Sequence, residues 1–160
     1  EIKVSTTENQ ALFVIGDLSF YSRLLEGNYP DTDRLLPSNS TTTIKFAIST
    51  LSSALDRASL LTHESRNNVV KLIISPADNS VIINGNSPEV GNVEESIEFK
   101  ELTGQELEIS FNPDYLRDAL RASITNEIVM NFTEPLRPFT VVPGDADLNF
   151  VQLITPVRTF

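Results

Sequence analysis

The chain has 160 residues, no cysteine, and 22 Asp and Glu against 12 Lys and Arg, a formal charge of −10. That length suits one domain, or one domain with part of another, and lets about 70% of the unfolded surface be buried without staples. Disulfide and thiolate chemistry are excluded, no apolar run approaches the roughly 18 residues of a membrane helix, and the average charge argues against nucleic acid unless a basic stripe is confined to one face.

Taken in chain order, Ile2 and Val4 alternate with polar neighbours, Thr7-Glu8-Asn9-Gln10 turns, and Leu12 and Val14 run back, which predicts a hairpin. Gly16-Asp17 turns into a third strand, LSFYSRLL. LLEGNYPDTDRLLP, residues 24–37, is irregular, broken at Gly27-Asn28 and Pro30, and rich in leucine for a surface connector. Pro37-Ser38-Asn39-Ser40 is a second break, so a boundary is expected near 32–38, separating residues 1–33 from 34–160. TTTIKFA is β-prone, and AISTLSSALDRASLL sets Ile48, Leu51, Leu55 and Ala58 at helical spacing. VVKLIIS, SVIINGN and VEESIEF read as strands. ELEISF is another, followed by Asn112 as an N-cap with Pro113 at the first helical position, the helix PDYLRDALRAS, and strands EIVMNF, RPFTVV and FVQLITPV.

A strand–helix–three-strand unit thus occurs twice. The helices share a kernel, Leu51-x-x-Ala54-Leu55 and Leu116-x-x-Ala119-Leu120, 65 residues apart. Two copies predict an α+β layer architecture, two helices packed on a continuous, mostly antiparallel sheet.

Residues able to carry chemistry are few. His63 is the only histidine and sits in a polar loop, THESRNN, where it reads as solvated. There is no HExxH, CxxC or glycine-rich phosphate loop. Asp31/Asp33 and Asp145/Asp147 admit a carboxylate- or metal-dependent hydrolase as an alternative, although carboxylates of this kind are commoner in turns. Arg117 and Arg121 share a helix face at i,i+4, and Arg57 with Lys45 lies on or near the other helix. Together they form a modest positive surface, unless Asp56, Asp114 and Asp118 pair with them locally. Glu94, Glu95 and Glu98 give one strand an acidic outer face beside Val93, Ile97 and Phe99, as a solvated edge or half of a charged interface. Leu60 and Leu61 end the first helix, and at least one is expected uncovered. A DNA-independent module self-assembling through its sheet edges is a further alternative.

LLEGNYPDTDRLLP, SFNPDYLRDAL, RPFT and LITPVR, in this order and with the internal repeat, resemble the bacterial sliding-clamp family, the beta subunit of DNA polymerase III, in its low-GC Gram-positive form. The resemblance covers essentially the whole chain. It implies the DNA-clamp fold, with residues 1–33 as the C-terminal strands of the second clamp domain and 34–160 as the third. It also implies a non-catalytic processivity factor without cofactor or metal. The protein would be cytoplasmic, which the lack of cysteine fits, and would close as a homodimer ring around double-stranded DNA. Replicative and repair polymerases, clamp loader, ligase and mismatch repair proteins would dock through a short motif, roughly Gln-x-x-Leu-Phe. Carried over by motif, Pro30 and Leu35, then Asn112 and Tyr115, then Leu136, Arg137 and Pro138, then Leu153, Thr155, Pro156, Val157 and Arg158 would line the docking groove. Arg57, Arg117 and Arg121 would face DNA, and Leu60, Leu61, Glu94 and Glu95 would meet the other subunit. The chain departs from the family in length: a first domain and most of a second are missing from it, and it opens on Glu1 rather than Met, as a fragment would.

Overall fold

The computed structural model describes residues 1–29, 31–62, 68–89, 91–145 and 147–158. They fall into two compact units, Glu1–Asp33 and Arg34–Phe160. The first is an antiparallel meander of β1 (Lys3–Thr6), β2 (Gln10–Ile15) and β3 (Leu18–Arg23). Its register sets Val4 beside Phe13 and Phe13 beside Phe20, with ring centroids of the two phenylalanines 6.2 Å apart. Because successive side chains alternate between faces, Val4, Ala11, Phe13, Ile15, Leu18 and Phe20 share one face, while Leu12, Val14 and Tyr21 take the other. Among the described residues of this unit only Ala11 is a buried hydrophobic, while Ile2, Val4, Ile15, Leu18 and Phe20 stay exposed.

A 3-10 turn, Asp33–Leu35, precedes the two repeats. The first is β4 (Thr42–Ala47), α1 (Ile48–Thr62), β5 (Val70–Ser75), β6 (Ser80–Ser87) and β7 (Gly91–Ser96). A short β8 (Glu101–Gly104) follows, then the second repeat: β9 (Leu107–Phe111), α2 (Pro113–Ala122), β10 (Glu127–Phe132), β11 (Phe139–Pro143) and β12 (Gln152–Ile154).

Two differences from expectation matter. The sheet is not continuous: its strands form two antiparallel ladders, β12-β11-β10-β4-β8 and β7-β6-β5-β9. Each repeat gives its first strand to the other's ladder, β4 pairing with β10 and β9 with β5. The second difference is β8, an element absent from the sequence reading. The chain leaves β7 at the far edge of one ladder and crosses to the β4 edge of the other, where Ile44 pairs with Leu102 and Thr42 with Gly104. Gly104 has φ +109°, and a Cβ there would collide with the Thr41 carbonyl, so glycine is required. The Thr42 hydroxyl and Gln105 backbone then bond reciprocally, at 2.8 and 3.2 Å.

The tail repeats the manoeuvre. From β12, at the far edge of its ladder, the chain crosses to β9, where Pro156 bridges Phe111 and the Val157 N–H donates to the Ser110 carbonyl at 2.7 Å. FVQLITPV is accordingly a three-residue strand plus a strap.

Both helices bury the face their spacing predicts: Leu51, Ala54, Leu55 and Ala58 from α1, and Leu116, Ala119 and Leu120 from α2. These join inward residues of both ladders, from Ile44 to Ile154, in one core. α1 lies so close to β6 that a Cβ on Gly85 would stand 2.6 Å from the Ala58 carbonyl. α2 is tied to β12 by the Gln152 amide, which donates to the Ala119 carbonyl at 3.0 Å.

Candidate functional site: a tail-strap seam and a helix face

The seam is built on three rings. Phe111 of β9, Phe139 of β11 and Phe132 of β10 are fully buried, with centroids 5.3 Å apart for Phe111–Phe139 and 5.0 Å for Phe132–Phe139. Packed aromatic pairs of this kind are worth about 0.5–1.5 kcal/mol beyond area burial, so the floor is rigid. Pro156 crosses above it at Phe111, and the next residue, Asn112, begins α2. The Asn112 side chain accepts from the Asp114 N–H at 2.9 Å, and Pro113 occupies the first turn. This cap orients Tyr115, which is 55% exposed. On the other side, the Phe139↔Ile154 pair ends the β11–β12 ladder. Leu136, Arg137 and Pro138 precede that end and Thr155 to Arg158 leave it, in a turn where the Arg137 N–H donates to the Glu134 carbonyl at 3.1 Å.

Asn112 follows Phe111, the residue bridged by Pro156, and Leu136, Arg137 and Pro138 immediately precede Phe139, the partner of Ile154, so both stretches lead to the ends of the tail segment Ile154–Arg158. Leu136, Arg137, Thr155 and Arg158 are exposed, and Leu153, Pro156 and Val157 half-buried. Leu35 is exposed in its 3-10 turn, with no described bond tying it to the tail. Pro30 lies outside the described residues. Phe150 and Val151, just before β12, are also exposed apolar residues; sequence reasoning absorbed both into a strand.

The helix face differs from what the arginines alone suggest. Arg57 is bound to Glu95 through both carboxylate oxygens, with Nε at 2.9 Å. Arg117 joins the helices: its Nε donates to Asp56 at 3.0 Å and its Nη2 to the Ser59 hydroxyl at 2.7 Å, and its Nη1 bonds Asp114. Asp114 also accepts from the Asn68 amide at 2.7 Å, and the Thr62 hydroxyl donates to Asn68 at 3.1 Å. Partial burial alone would lower the Arg117 guanidinium, but the bonds to Asp56 and Asp114 outweigh it and hold the group above its ordinary value. Arg121 is exposed and has no carboxylate in salt-bridge range among the described residues. Asp56, Asp114, Asp118, Arg117, Arg121, Ser59 and Leu60 line a cavity of about 720 Å³ between the helices. Its lining carries three acids against two bases.

At the β7 edge, Glu95 does not share a face with Glu94 and Glu98. It alternates inward with Val93 and Ile97, and its bond to Arg57 holds its carboxyl below the usual carboxylate range. Glu94 points to solvent. Leu60 is 73% exposed and Leu61 half-buried. Lys45 belongs to the sheet rather than the helix face: it pairs with Glu127 at 3.1 Å, and Glu127 also binds Lys100. Of the acidic pairs, Asp145 accepts the Asp147 N–H at 3.1 Å as an ordinary turn, and Asp31 and Asp33 are exposed. No group of three potential metal ligands occurs among the described residues. His63 lies outside them.

Two exchanged strand–helix–three-strand repeats, with two helices packed on antiparallel ladders, are the DNA-clamp fold. The chain belongs to the family of the DNA polymerase III beta subunit, C-terminal domain, which it matches over residues 33–158. It is 48% identical to the beta sliding clamp of Streptococcus pneumoniae over 158 residues and 48% identical to that of Bacillus subtilis over 160 residues. Each alignment takes in 99% of this chain and about two-fifths of the relative, 41% and 42% respectively. The crystal structure of the DNA polymerase III beta chain from Streptococcus pneumoniae superposes with a TM-score of 0.90 over 99% of this chain and 41% of that one. The chain thus spans about two-fifths of the curated relatives it matches.

Proposed function

We propose that this chain is the C-terminal part of a sliding clamp, the non-catalytic processivity subunit of the replicative DNA polymerase. On this reading residues 1–33 are the last strands of the second clamp domain and 34–160 the third. The complete protein closes as a homodimer ring on duplex DNA in the cytoplasm. It tethers the polymerase topologically and docks repair polymerases, clamp loader, ligase and mismatch repair proteins. Leu60, Leu61, Glu94 and Glu95 lie on the subunit contact. A ring that slides needs phosphate attraction without base readout. Arg121, exposed and unpaired among the described residues, is the foremost phosphate contact, whereas Arg57 and Arg117 act from within their ion pairs.

The observation that carries the reading is the tail strap stitched to β9 at Phe111 and Ser110, with Tyr115 and Leu136 exposed in the segments that follow β9 and precede β11. Exposed apolar groups on a rigid aromatic floor suit a short linear motif whose Leu and Phe anchors supply the energy while polar rim groups fix register. The test is fluorescence polarisation of a labelled Gln-x-x-Leu-Phe peptide against the chain and against a version ending at Thr155. Saturable binding that truncation removes supports a groove at the tail. Binding that survives truncation, or none to the chain or its full-length relatives, overturns it.

A further inference from the structure

The Arg34–Phe160 unit is closed by one short joint. Each half carries its first strand together with the segment that covers it, β4 with β8 and β9 with the tail strap. The halves then meet through β4–β10, through β5–β9 and through the Arg117 bridge from α2 to α1. The chain joining them, between β8 and β9, is Gln105 and Glu106 alone. At its entrance Gly104 turns at φ +109°, where a Cβ would stand 2.0 Å from the Thr41 carbonyl oxygen and 2.6 Å from the Thr42 Cα. The Gln105 N–H donates to the Thr41 carbonyl and to the Thr42 hydroxyl, both at 3.2 Å, and that hydroxyl donates to the Gln105 carbonyl at 2.8 Å. The Ser75 hydroxyl donates to the Glu106 carboxylate at 3.4 Å. Thr41, Thr42 and Ser75 all belong to the first half, so the joint is held by the half it leaves.

We propose that this joint is a hinge, and that its opening yields a strand-exchanged dimer in which β9, α2, β10, β11 and β12 of each chain complete the ladders of a second copy. Every register pair between the halves, from Glu127↔Ala47 to Phe132↔Thr42 and from Val70↔Phe111 to Ile74↔Leu107, is re-formed between chains. Both cores are therefore kept, and the bonds of the joint are what changes. Exchange of identical elements is a low-cost route to dimers, and short hinge loops under strain invite it. The partner is a second copy because the opened half presents two strand registers and a helix face that its own sequence already fits. Gly104 sets the balance. A positive φ costs glycine little and other residues steric energy, and that cost is borne only by the closed chain. The proposal is independent of the docking reading and of the subunit contact at Leu60, Leu61, Glu94 and Glu95.

The experiment unfolds and refolds the 160-residue chain and a Gly104→Ala variant over a range of concentrations, and sizes the products by light scattering after gel filtration. The substitution should favour the dimer about tenfold at each of its two hinges, about a hundredfold in all. The absence of cysteine lets the exchange be read directly. Thr43 and Asn131 are paired across β4 and β10, the Thr43 hydroxyl meeting the Asn131 side chain at 3.1 Å, so cysteines at the two positions would be within disulfide reach. A Thr43→Cys chain refolded with an Asn131→Cys chain, both carrying Gly104→Ala, should give a covalent heterodimer on oxidation. Deleting Gln105 and Glu106 leaves too little chain to close the joint and should give a dimer at every concentration. A folded Gly104→Ala monomer at all concentrations overturns the proposal, as does a dimer in which the mixed cysteines do not link. If Gly104→Ala does not fold, the deletion decides: a cross-linking dimer supports the hinge, and a folded monomer or an unfolded chain overturns it.

Discussion

Glu101–Gly104 closes the open edge of β4 with four paired residues, against Thr42–Lys45. The Pro156–Val157 strap closes the edge of β9 with one bridge and one hydrogen bond. The two occupy equivalent places in duplicated halves, since each follows the last strand of a repeat and covers that repeat's own first strand, which lies in the other ladder. The first is ordinary sheet. The second is followed directly by Arg158 and covers the strand that leads into α2, where Tyr115 is exposed. The charges follow the same division: the first repeat's Arg57 is taken up by its own Glu95, whereas the second repeat keeps Arg121, Arg137 and Arg158 without carboxylates among the described residues. A duplication keeps both cores and can spare one edge for recognition.

Three measurements would break or sharpen this contrast. The largest effect tests whether the cores are equivalent. Leu51 and Leu116 hold matching kernel positions and are both fully buried, so Leu51→Ala and Leu116→Ala should each cost about 2–5 kcal/mol in chemical denaturation. Strongly unequal losses would mean the duplication is not shared at the core. Next in size, Arg117→Ala should cost about 1–2 kcal/mol by removing two charge-assisted hydrogen bonds between the helices, to Asp56 and Ser59, and one within α2, to Asp114. Arg121→Ala, at a position exposed and without a carboxylate partner among the described residues, should leave the midpoint nearly unchanged while flattening the salt dependence of DNA association in the ring proposed above. A neutral Arg117 variant would return that residue to the free phosphate contacts. The smallest effect concerns Glu95, whose carboxyl is held below the ordinary carboxylate range chiefly by its bond from Arg57. A depressed carboxylate contributes stability fully above about pH 4.5 and loses it as pH falls through the folded value. Glu95→Gln should therefore be slightly less stable than the parent at neutral pH, the two curves converging on acidification. Parallel curves would mean the pair is energetically silent.

Alternation and helical spacing made most strands and both helices legible, because each buries one face and the pattern repeats within a few residues. The Asn112-Pro113 start of α2 was legible from side-chain chemistry alone. β8 was not. Glu101–Gly104 offers a single apolar residue, Leu102, and exists because β4 supplies an edge and Thr42 a reciprocal bond to Gln105. The two-ladder arrangement was hidden for a related reason: β4 meets β10 across some eighty residues of chain, and no local pattern specifies that meeting. The inward position of Glu95 was available in principle. Strict alternation along Val93, Glu95 and Ile97 separates it from Glu94 and Glu98, but a run of acids reads as one surface until a helix arginine is placed above it. At the seam, sequence supplied the residue types and the register supplied their neighbourhood. That Arg57 and Arg117 are consumed by ion pairs depends on side-chain reach across elements, which spacing within one helix does not encode.

The exchange of first strands has a consequence for how the Arg34–Phe160 unit comes apart. Divided between Gly104 and Leu107, the chain would yield two pieces, one missing the strand that β5 needs and the other the strand that β10 needs. Neither piece could complete a ladder, yet each holds what the other lacks, so they should recombine as complementing fragments rather than fold as independent modules. The same reciprocity should make unfolding a single cooperative event despite the internal duplication, with a folding rate set by distant strand encounters; two separate transitions in chemical denaturation would contradict it.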